Sequence, residues 1–461
     1  MPFQFVNGRI KSVKPTFDPE EILLRADTLF GAEGSKDLGG GVAEKISDLR
    51  HYDVLAMDRV AAVLMWGRSG TVLLASYLDG HDDVIMLPEL SSQRLYLFFE
   101  RYRWLSLRDK LLGYAAFAPD YPVFFEGSFA ISPAQYYASV QAILEFYAEW
   151  PSEFLESSRA FFLFVHIAYS LARGRRPASS NPLIVYAQHV WDHRLARQLV
   201  EDFPKAKFVH TVRDPISSCD GVFHFHLNIV ENHILLPYTA LFNLTNADRP
   251  HFGMESRTRT IRFEDLHCAT AETMRDLSDW LGLPYQSTLL ESTFNGIPYV
   301  IARDGKAWSG QRLEQVQRRS LNLSGKDRAL LFALFYHNFV DWGYPCPKIL
   351  GFLIVRCIVF FSLIPLPMKT EIIAARVIFK RTILPSVRHG ILLSVIASLL
   401  GIGFCRLKII WLLVPAFFRR SAYGTTLLQL GHKRRPVEQR DDGASAAKSE
   451  ARVDMNDDLK I

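Results

Sequence analysis

The stretch VAAVLMWGRSGTVLLASYLDG, residues 60–80, decides the fold of this chain. It opens with six apolar residues, Val60 to Met65, a run that is typical of a strand buried on both faces. A short loop with two glycines follows, and apolar residues then recur at helical spacing from Leu73 to Leu78. The stretch therefore predicts a strand, a tight loop and a helix in succession.

Similar apolar runs recur along the chain. Leu183 to Tyr186 and Phe208 to Val212 alternate with helical stretches such as His193 to Val200, and Thr260 to Phe263 predicts a further strand. This alternation is typical of an α/β domain with a mostly parallel central sheet flanked by helices. A helical pattern from Ser324 to Phe339 closes the domain.

Composition limits the class of protein. With 461 residues, 49% of them hydrophobic, the chain can bury a large core, which excludes a mainly disordered protein. The five cysteines are scattered and have no C-x-x-C spacing, so they exclude a disulfide framework and a zinc site and favour a reducing compartment. The N-terminal residues show no signal-peptide pattern, so we expect a cytoplasmic protein with unused sequons at Asn243 and Asn322.

Positive charge is concentrated towards the C-terminus. Trp342 to Pro436 contains fourteen Lys and Arg residues and one acidic residue, Glu371, whereas the rest of the chain is net acidic. The same segment holds apolar runs at 349–368, 391–405 and 409–418. A segment that is both basic and apolar suits an anionic membrane surface better than nucleic acid, so no nucleic-acid partner is expected.

These apolar runs are too short, or too interrupted by charges such as Arg356, to cross a bilayer unaided. They predict helices in a membrane interface and hence a peripherally or monotopically associated protein, although a buried helical subdomain fits the same composition. The predicted domains are an N-terminal extension (1–57), the α/β domain (58–345), a hydrophobic, basic, membrane-associated helical region (346–436) and a disordered tail (437–461).

The loop that follows the first strand predicts an anion site. Backbone N–H groups in such a loop converge on one point, and the N-terminus of the next helix adds partial positive charge. The nucleoside-triphosphate pattern G-x-x-x-x-G-K-[ST] is not matched, because Arg68 precedes Ser69-Gly70-Thr71 and no lysine follows. Taken alone, R-S-G-T is equally compatible with a loop that only turns a strand into a helix.

The longer segment WGRSGTVLLASYLDGHDDVIMLPE, residues 66–89, resembles the 5′-phosphosulfate loop of sulfotransferases that use 3′-phosphoadenosine 5′-phosphosulfate (PAPS). The resemblance implies that PAPS is the donor and that Ser69, Gly70, Thr71 and Val72 hold its 5′-phosphate. Val72 stands where the family has a second threonine.

The segment FPKAKFVHTVRDPISSCDG, residues 203–221, resembles the strand of the same family that ends in R-D-P. This resemblance implies that Arg213 binds the 3′-phosphate of the donor. The family's serine eight positions later is replaced by Gly221, while Ser217 and Ser218 lie closer to the arginine. One hydrogen bond to the 3′-phosphate is therefore an open point.

Two further segments extend the resemblance. TIRFEDL, residues 260–266, is similar to the family's strand ending in Y/F-E-D-L, and Lys306-Ala-Trp308 is similar to a later donor-binding motif. The four segments follow in the family's order from residue 60 to residue 344. We therefore predict a PAPS-dependent sulfotransferase with a P-loop-like nucleotide-binding fold, in which Lys306 and Trp308 also contact the donor.

Sulfuryl transfer needs in-line geometry and electrostatic relief of the transferring group. The guanidinium of Arg68 suits that role, so no metal is expected. Two residues are candidates for the base that takes the acceptor's proton. Glu89 matches the base of the tyrosine-directed branch, and His189 follows a strand like the base of the small-molecule branch. Glu89 is the first choice, with a solvated glutamate as its alternative, and a structural histidine is at least as good an interpretation of His189. Gln188 stands near the end of this strand, where many members have a lysine.

Other interpretations stay open at this point. His224 and His226 alternate without a third ligand, so they predict acceptor-pocket or core residues rather than a metal site. A membrane-bound scaffold without transfer activity and a P-loop phosphotransferase are the alternative functions. The acceptor is a hydroxyl whose carrier the sequence does not identify, and the basic apolar region favours a lipid or a lipid-linked glycan.

Overall fold

The computed structural model describes residues 4–6, 9–11, 19–34 and 39–418, apart from 66–68, 88–93, 118–123, 126–129, 190–192, 230–234, 247–254, 304–305, 313–315, 317–321 and 389–391. The first described elements are two short antiparallel strands, β1 (Gln4–Val6) and β2 (Arg9–Lys11).

A five-stranded parallel sheet lies at the centre of the fold. Its strands are β3 (Val60–Met65), β4 (Val84–Met86), β5 (Leu183–His189), β6 (Lys207–Val212) and β7 (Thr258–Arg262). Their spatial order is β4-β5-β3-β6-β7. The predicted α/β fold with a mostly parallel sheet and flanking helices is therefore confirmed, and the strand predicted at 60–65 has the observed bounds.

Both faces of the sheet are covered. Along β3, Ala61 and Val63 pack into one hydrophobic core, whereas Ala62 and Leu64 pack into a larger core on the opposite face. Successive side chains of a strand point to opposite faces, so a strand between two cores must be apolar at every position. This requirement explains the unbroken run of apolar residues from which the strand was predicted.

The helices of this part of the chain pack on the two faces of the sheet and around its ends. Their bounds are α1 (Pro19–Gly34), α2 (Gly39–Leu49), α3 (Thr71–Leu78), α4 (Leu95–Arg101), α5 (Leu107–Phe117), α6 (Pro133–Phe146), α7 (Ser152–Leu155), α8 (Ser158–Ala172), α9 (His193–Asp202), α10 (Pro215–Ile229), α11 (Leu236–Asn246), α12 (Asp265–Cys268), α13 (Thr270–Leu281), α14 (Gly325–Leu334) and α15 (Tyr336–Asp341). Helix α8 is almost entirely buried and forms the middle of the larger core.

Helices α1 and α2 lie within the segment predicted as an N-terminal extension. Ile22 and Phe30 of α1 and Leu49 of α2 are buried in the larger core. Helices α1 and α2 thus pack into the core of the α/β domain, although residues 1–57 were predicted as an extension that precedes it.

Two small hairpins precede α14. They are formed by β8 (Thr293–Phe294) with β9 (Ile297–Pro298) and by β10 (Val300–Arg303) with β11 (Lys306–Ser309). The helix predicted at 324–339 is divided into α14 and α15 at Phe335, which leaves helical geometry at φ −101° and ψ 25°.

The C-terminal region is helical as far as it is described. Its elements are α16 (Leu353–Leu363), α17 (Lys369–Ile378), α18 (Leu384–Arg388) and α19 (Leu392–Phe417), with a π-helical turn at Phe379–Ile383. Within the described residues, the apolar runs predicted between 391 and 418 lie in one helix of 26 residues, Leu392–Phe417, which is long and apolar enough by composition to cross a membrane.

That continuity corrects the expectation that each run is short and separate. The charges between the runs do not interrupt the helix, because Arg406 forms an ion pair with Glu371 at 2.7 Å. The nitrogen of Lys408 lies 4.7 Å from the centre of the Phe404 ring. Both cations therefore have favourable contacts on or beside the helix.

One side of the C-terminal helices belongs to the larger core. Phe360 and Ile364 join it from the α16 segment, and Ile409, Leu413 and Phe417 join it from α19. The helical region is thus continuous with the α/β domain on that side.

Candidate functional site

The loop after β3 and the chain after β6 meet at the carboxyl edge of the sheet. The two strands are direct neighbours, with Leu64 opposite His210. From here β3 leads towards β4 at one edge of the sheet, whereas β6 leads towards β7 at the other. Such a divergence between neighbouring parallel strands opens a crevice at their carboxyl ends, where open α/β sheets bind ligands.

Gly70 makes the turn from β3 into α3. Its φ is 92°, in the left-handed region that side chains other than glycine rarely adopt. A Cβ on this residue would lie 2.4 Å from Cδ2 of Phe263. Glycine is therefore required both by the backbone conformation and by the aromatic ring packed against it.

Three hydroxyl groups fasten this loop to β6. Ser69 and Thr71 each place a side-chain oxygen 2.9 Å from Oγ1 of Thr211, and the two loop oxygens are 3.1 Å apart. All three residues are buried. Because their hydroxyls bond to one another, Ser69 and Thr71 position the loop through their side chains and leave their backbone groups for a ligand.

The start of α3 presents free donors to the crevice. The first bond within the helix runs from the N–H of Leu74 to the carbonyl of Gly70 at 3.0 Å. The N–H groups of Thr71, Val72 and Leu73 therefore have no acceptor inside the helix, as at every helix start. Together with the helix dipole they suit an anion. The side chain of Val72 packs against the smaller core.

Arg213 follows β6 directly and lies half-buried. Its guanidinium carbon is 4.4 Å from the centre of the Phe263 ring, which also packs against Gly70. Burial lowers the pKa of Arg213, and the nearby carboxylate of Glu264 opposes that effect. An arginine with little water around it binds a phosphate more strongly than an exposed one does. Phe263 thus connects the loop with the arginine.

The carboxylate of Glu264 is close to Arg213 and is bound by Tyr344, and the sequence alone assigned neither residue a role. The hydroxyl of Tyr344 donates to Oε2 of Glu264 at 2.5 Å, and the N–H of Asp214 donates to Oε1 at 3.3 Å. Burial raises the pKa of Glu264, while the bond from Tyr344 acts in the opposite direction. Both residues lie in segments that were matched to the family, but their contact joins positions 80 residues apart.

His267 links the site to the β10–β11 hairpin. Its ring packs edge-on against Phe263, with 4.5 Å between the ring centres, and its Nδ1 accepts a hydrogen bond from the N–H of Arg312 at 2.9 Å. Burial, and then the charge of Arg213, lower the pKa of His267 to about 4. The ring is therefore neutral at physiological pH. Its contact brings the chain that follows β11 to the site.

The start of α10 lies beside Arg213. Asp214 caps this helix, because its Oδ1 accepts the N–H of Ser217 at 2.7 Å. Ser218 is buried, and its hydroxyl has no hydrogen-bond partner within the described part of the chain. Gly221 lies one turn further along α10 and is half-buried.

For the other predicted site residues, the structure describes the backbone of some and the side chains of few. His189 ends β5, with its backbone paired to Met65, so it reaches the same sheet edge as the loop. Lys306 and Trp308 lie on β11, opposite Arg303 and Ile301. The side chains of His189, Lys306, Trp308 and His226 lie outside the described residues, as do Arg68 and Glu89 entirely. His224 is half-buried on α10.

The residues Asp79, His81 and Asp83, in the L-D-G-H-D-D part of the matched segment, are structural. All three are buried. His81 Nε2 lies 2.8 Å from the carbonyl oxygen of Pro284, and Asp83 accepts from Arg59 at 2.8 Å. These bonds hold the chain between α3 and β4 in place, away from the crevice.

The chain was compared with known proteins. Residues 63–287 match the model of the sulfotransferase family. This match covers just under half of the chain and supports a transferase of the sulfotransferase type. No curated protein matches the sequence. Within the described residues, no group of three or more His, Cys, Asp or Glu side chains could hold a metal ion.

Three solved structures are similar to this chain. A sulfotransferase domain from the curacin biosynthetic pathway is 17% identical, and the match covers 50% of this chain and 76% of that chain at a TM-score of 0.30. A sulfotransferase domain from the olefin synthase of Synechococcus PCC 7002 is 16% identical, and the match covers 57% of this chain and 83% of that chain at a TM-score of 0.33. The sulfotransferase STF9 from Mycobacterium avium is 10% identical, and the match covers 60% of this chain and 87% of that chain at a TM-score of 0.31. At these TM-scores they add nothing about the site.

Proposed function

We propose that this protein transfers a sulfuryl group from PAPS to an acceptor hydroxyl. One observation carries the proposal: the Ser69-Gly70-Thr71 loop and Arg213 lie at the ends of neighbouring strands and both contact or flank Phe263. The loop offers backbone donors to one anion, and Arg213 offers a guanidinium to a second. PAPS carries a phosphosulfate and a separate 3′-phosphate, so its charges fit this pair.

The residues of the site have separate tasks in this proposal. The N–H groups at the start of α3 bind the 5′-phosphate, and Arg213 binds the 3′-phosphate. Phe263 and Glu264 hold Arg213 in place. Ser218 offers a buried hydroxyl near the position where the family has a serine and this chain has Gly221. Lys306 and Trp308 of β11 are proposed to contact the donor as well.

The transfer itself is an in-line displacement. The acceptor oxygen forms a bond to sulfur while the bond between sulfur and the 5′-phosphate oxygen breaks, and the hydroxyl proton passes to a base. Arg68 offsets the charge that develops between the sulfuryl and phosphate groups. Glu89 is the first candidate for the base and His189 the second.

A membrane-borne acceptor, a lipid or a lipid-linked glycan, suits the position of the site. Tyr344, which bonds to Glu264 beside Arg213, is five residues before Ile349, an exposed apolar residue of the C-terminal region. Five residues span at most about 18 Å. An acceptor hydroxyl near a membrane surface at this region would thus be close to the proposed donor site.

The test is incubation of the full-length protein with radiolabelled PAPS and a membrane and lipid extract. We expect a labelled product, less turnover in Arg68→Ala, and weaker donor binding in Arg213→Ala, because only Arg68 contacts the transferring group. Arg173→Ala is the control, since it removes an arginine near a buried carboxylate, Asp79, away from the site. Wild-type kinetics in both site variants would refute the assignment.

A second comparison identifies the base. We expect Glu89→Gln to lose most turnover while it still binds the product nucleotide, because the amide cannot accept a proton. A larger loss in His189→Ala would move the assignment to that residue. Nucleotide binding without any transfer would indicate a scaffold, and magnesium-dependent turnover of ATP would indicate a phosphotransferase.

A further inference from the structure

The exposed apolar side chains of this protein are concentrated in its C-terminal helices. Among the described residues, twenty-nine large hydrophobic side chains are exposed, and twenty of them follow Tyr344. Scattered single residues of this kind are ordinary, but a set on adjoining helices marks an interaction surface. We call the exposed apolar side chains of α16, α17, α18 and α19 the apolar platform.

Helix α19 has two clearly different sides. Its exposed side carries Leu393, Ile396, Leu400, Phe404, Leu407 and Trp411, with Trp411 83% exposed. At 3.6 residues per turn these positions fall on one side of the helix. The buried positions Ser398, Cys405, Ile409 and Leu413 fall on the opposite side, against the protein. The helix is thus held by its protein on one side and open on the other.

This attachment decides how the helix can meet a bilayer. The buried positions extend from Ser398 to Phe417, twenty residues, which corresponds to about 30 Å of helix. The hydrocarbon core of a bilayer is about 30 Å thick. Because Cys405, Ile409 and Phe417 pack into the core shared with the α/β domain, lipid can reach only the open side of this half of the helix. The helix can therefore lie along the surface with its open side towards the lipid.

The neighbouring helices present the same surface. The rings of Phe360 and Phe417 stack with 4.3 Å between their centres, which joins α16 to α19. The ion pair between Arg406 and Glu371 joins α17 to α19. Ile354, 75% exposed, and Ile358 continue the apolar platform on α16.

The charge inside the α16 run faces the protein. Arg356 is buried, with a nitrogen 2.9 Å from Nε2 of His337 and its guanidinium carbon 4.9 Å from the centre of the Phe417 ring. Arg356, the charge that interrupts this apolar run, therefore lies away from the apolar platform.

The exposed charged side chains that border the apolar platform on α17 and the turn after it are all basic. Lys369, Arg376 and Lys380 form an exposed stripe on α17 and the turn after it, next to the exposed Ile372 and Phe379. From Trp342 to Phe418 the sequence has one acidic residue, Glu371, and its charge is offset by Arg406. Apolar side chains bordered by cations without anions match the headgroups and acyl chains of an anionic bilayer.

We infer that the apolar platform docks this protein onto the surface of an anionic phospholipid bilayer, with α19 lying in the plane of the membrane. The inference does not depend on the transfer reaction, because it uses only the exposure, contacts and charges of α16 to α19. The cytoplasmic leaflet is the surface with the required negative charge.

The test is flotation of the full-length protein with vesicles of phosphatidylcholine, with and without phosphatidylglycerol. Leu400→Glu/Leu407→Glu changes two leucines of the platform that are 68% and 66% exposed. Leu24→Glu/Leu55→Glu is the matched control, since both of these leucines are 66% exposed and lie outside the platform. We expect the platform pair to lower vesicle partitioning at least about 100-fold and the control pair to leave it unchanged.

Two further measurements test the charge and the orientation. Arg376→Gln/Lys380→Gln is expected to lower partitioning onto anionic vesicles about 30-fold, with little effect on phosphatidylcholine alone. Alkaline carbonate is expected to release the bound protein from vesicles, because no helix crosses them. Equal binding by the platform and control pairs would overturn the inference. Resistance to carbonate would overturn the in-plane orientation. Loss of self-association in the platform pair without vesicle binding would identify a second copy as the partner.

Discussion

Substitution of Gly70 tests the packing on which the site depends. An alanine there must keep a φ of 92°, at a cost of about 1–2 kcal/mol. Its Cβ would also lie 2.4 Å from Cδ2 of Phe263, and overpacking of this kind costs about 1–3 kcal/mol. We therefore expect Gly70→Ala to lower the free energy of unfolding by about 2–5 kcal/mol.

The structure supplies a matched control. Gly174 has a φ of 66°, and a Cβ placed there meets nothing within 4 Å. Gly174→Ala therefore carries the cost of the backbone conformation alone. The difference between the two variants measures the contact with Phe263. In a double-mutant cycle, Phe263→Leu should restore most of that difference, because a shorter side chain makes room for the added methyl group.

The assay is urea-induced unfolding of the full-length protein, followed by binding of the product nucleotide. Because Phe263 also packs on Arg213, displacement of its ring in Gly70→Ala should weaken nucleotide binding, whereas Gly174→Ala should leave it intact. Equal stability losses in Gly70→Ala and Gly174→Ala, with no rescue by Phe263→Leu, would refute the packing of Phe263 against the loop.

Two other buried groups give separate predictions. Burial lowers the pKa of His166 to about 4 from 6.5, so the stability it contributes is present above pH 6.5 and is lost as the pH falls towards about 4. His166→Leu should therefore reduce the loss of unfolding free energy between about pH 7 and about pH 5 by about 2 kcal/mol, and an unchanged pH dependence would contradict this. Tyr344→Phe removes the donor to Oε2 of buried Glu264 and should cost about 1–3 kcal/mol. Tyr147→Phe is the control, because its buried hydroxyl has no hydrogen-bond partner among the described residues, and equal losses would refute a role for the bond.

The sheet was predictable from the sequence because its strands are buried on both faces. Val60 to Met65 must then be apolar throughout, and the run is visible without any knowledge of its neighbours. The strand at 258–262 was less clear because Arg259 and Arg262 interrupt its apolar pattern. It ends one residue before Phe263, which packs against Gly70 and Arg213. Local pattern identifies a strand more readily than the residue at which it ends.

The site was predictable as two motifs but not as an arrangement. R-S-G-T and R-D-P each carry a local signal, and the sheet order brings them together. The bonds of Thr211 to Ser69 and Thr71 depend on the register of β3 with β6, which no sequence pattern specifies. The bond between Tyr344 and Glu264 joins residues 80 positions apart and was equally out of reach.

The C-terminal region was predicted as a separate domain at 346–436, and its packing predicts the result of truncation after Pro347. Phe360, Ile364, Ile409 and Leu413 are buried in the core shared with the α/β domain. Each buried side chain of this size contributes about 1.5–3 kcal/mol, so their loss is comparable with the net stability of a domain, about 5–15 kcal/mol. We expect the truncated chain to be recovered as aggregate. Truncation after Phe418 keeps every described helix and is the control. A monodisperse chain ending at Pro347 that still binds the product nucleotide would show that these helices are dispensable for folding, and would leave docking as their only role.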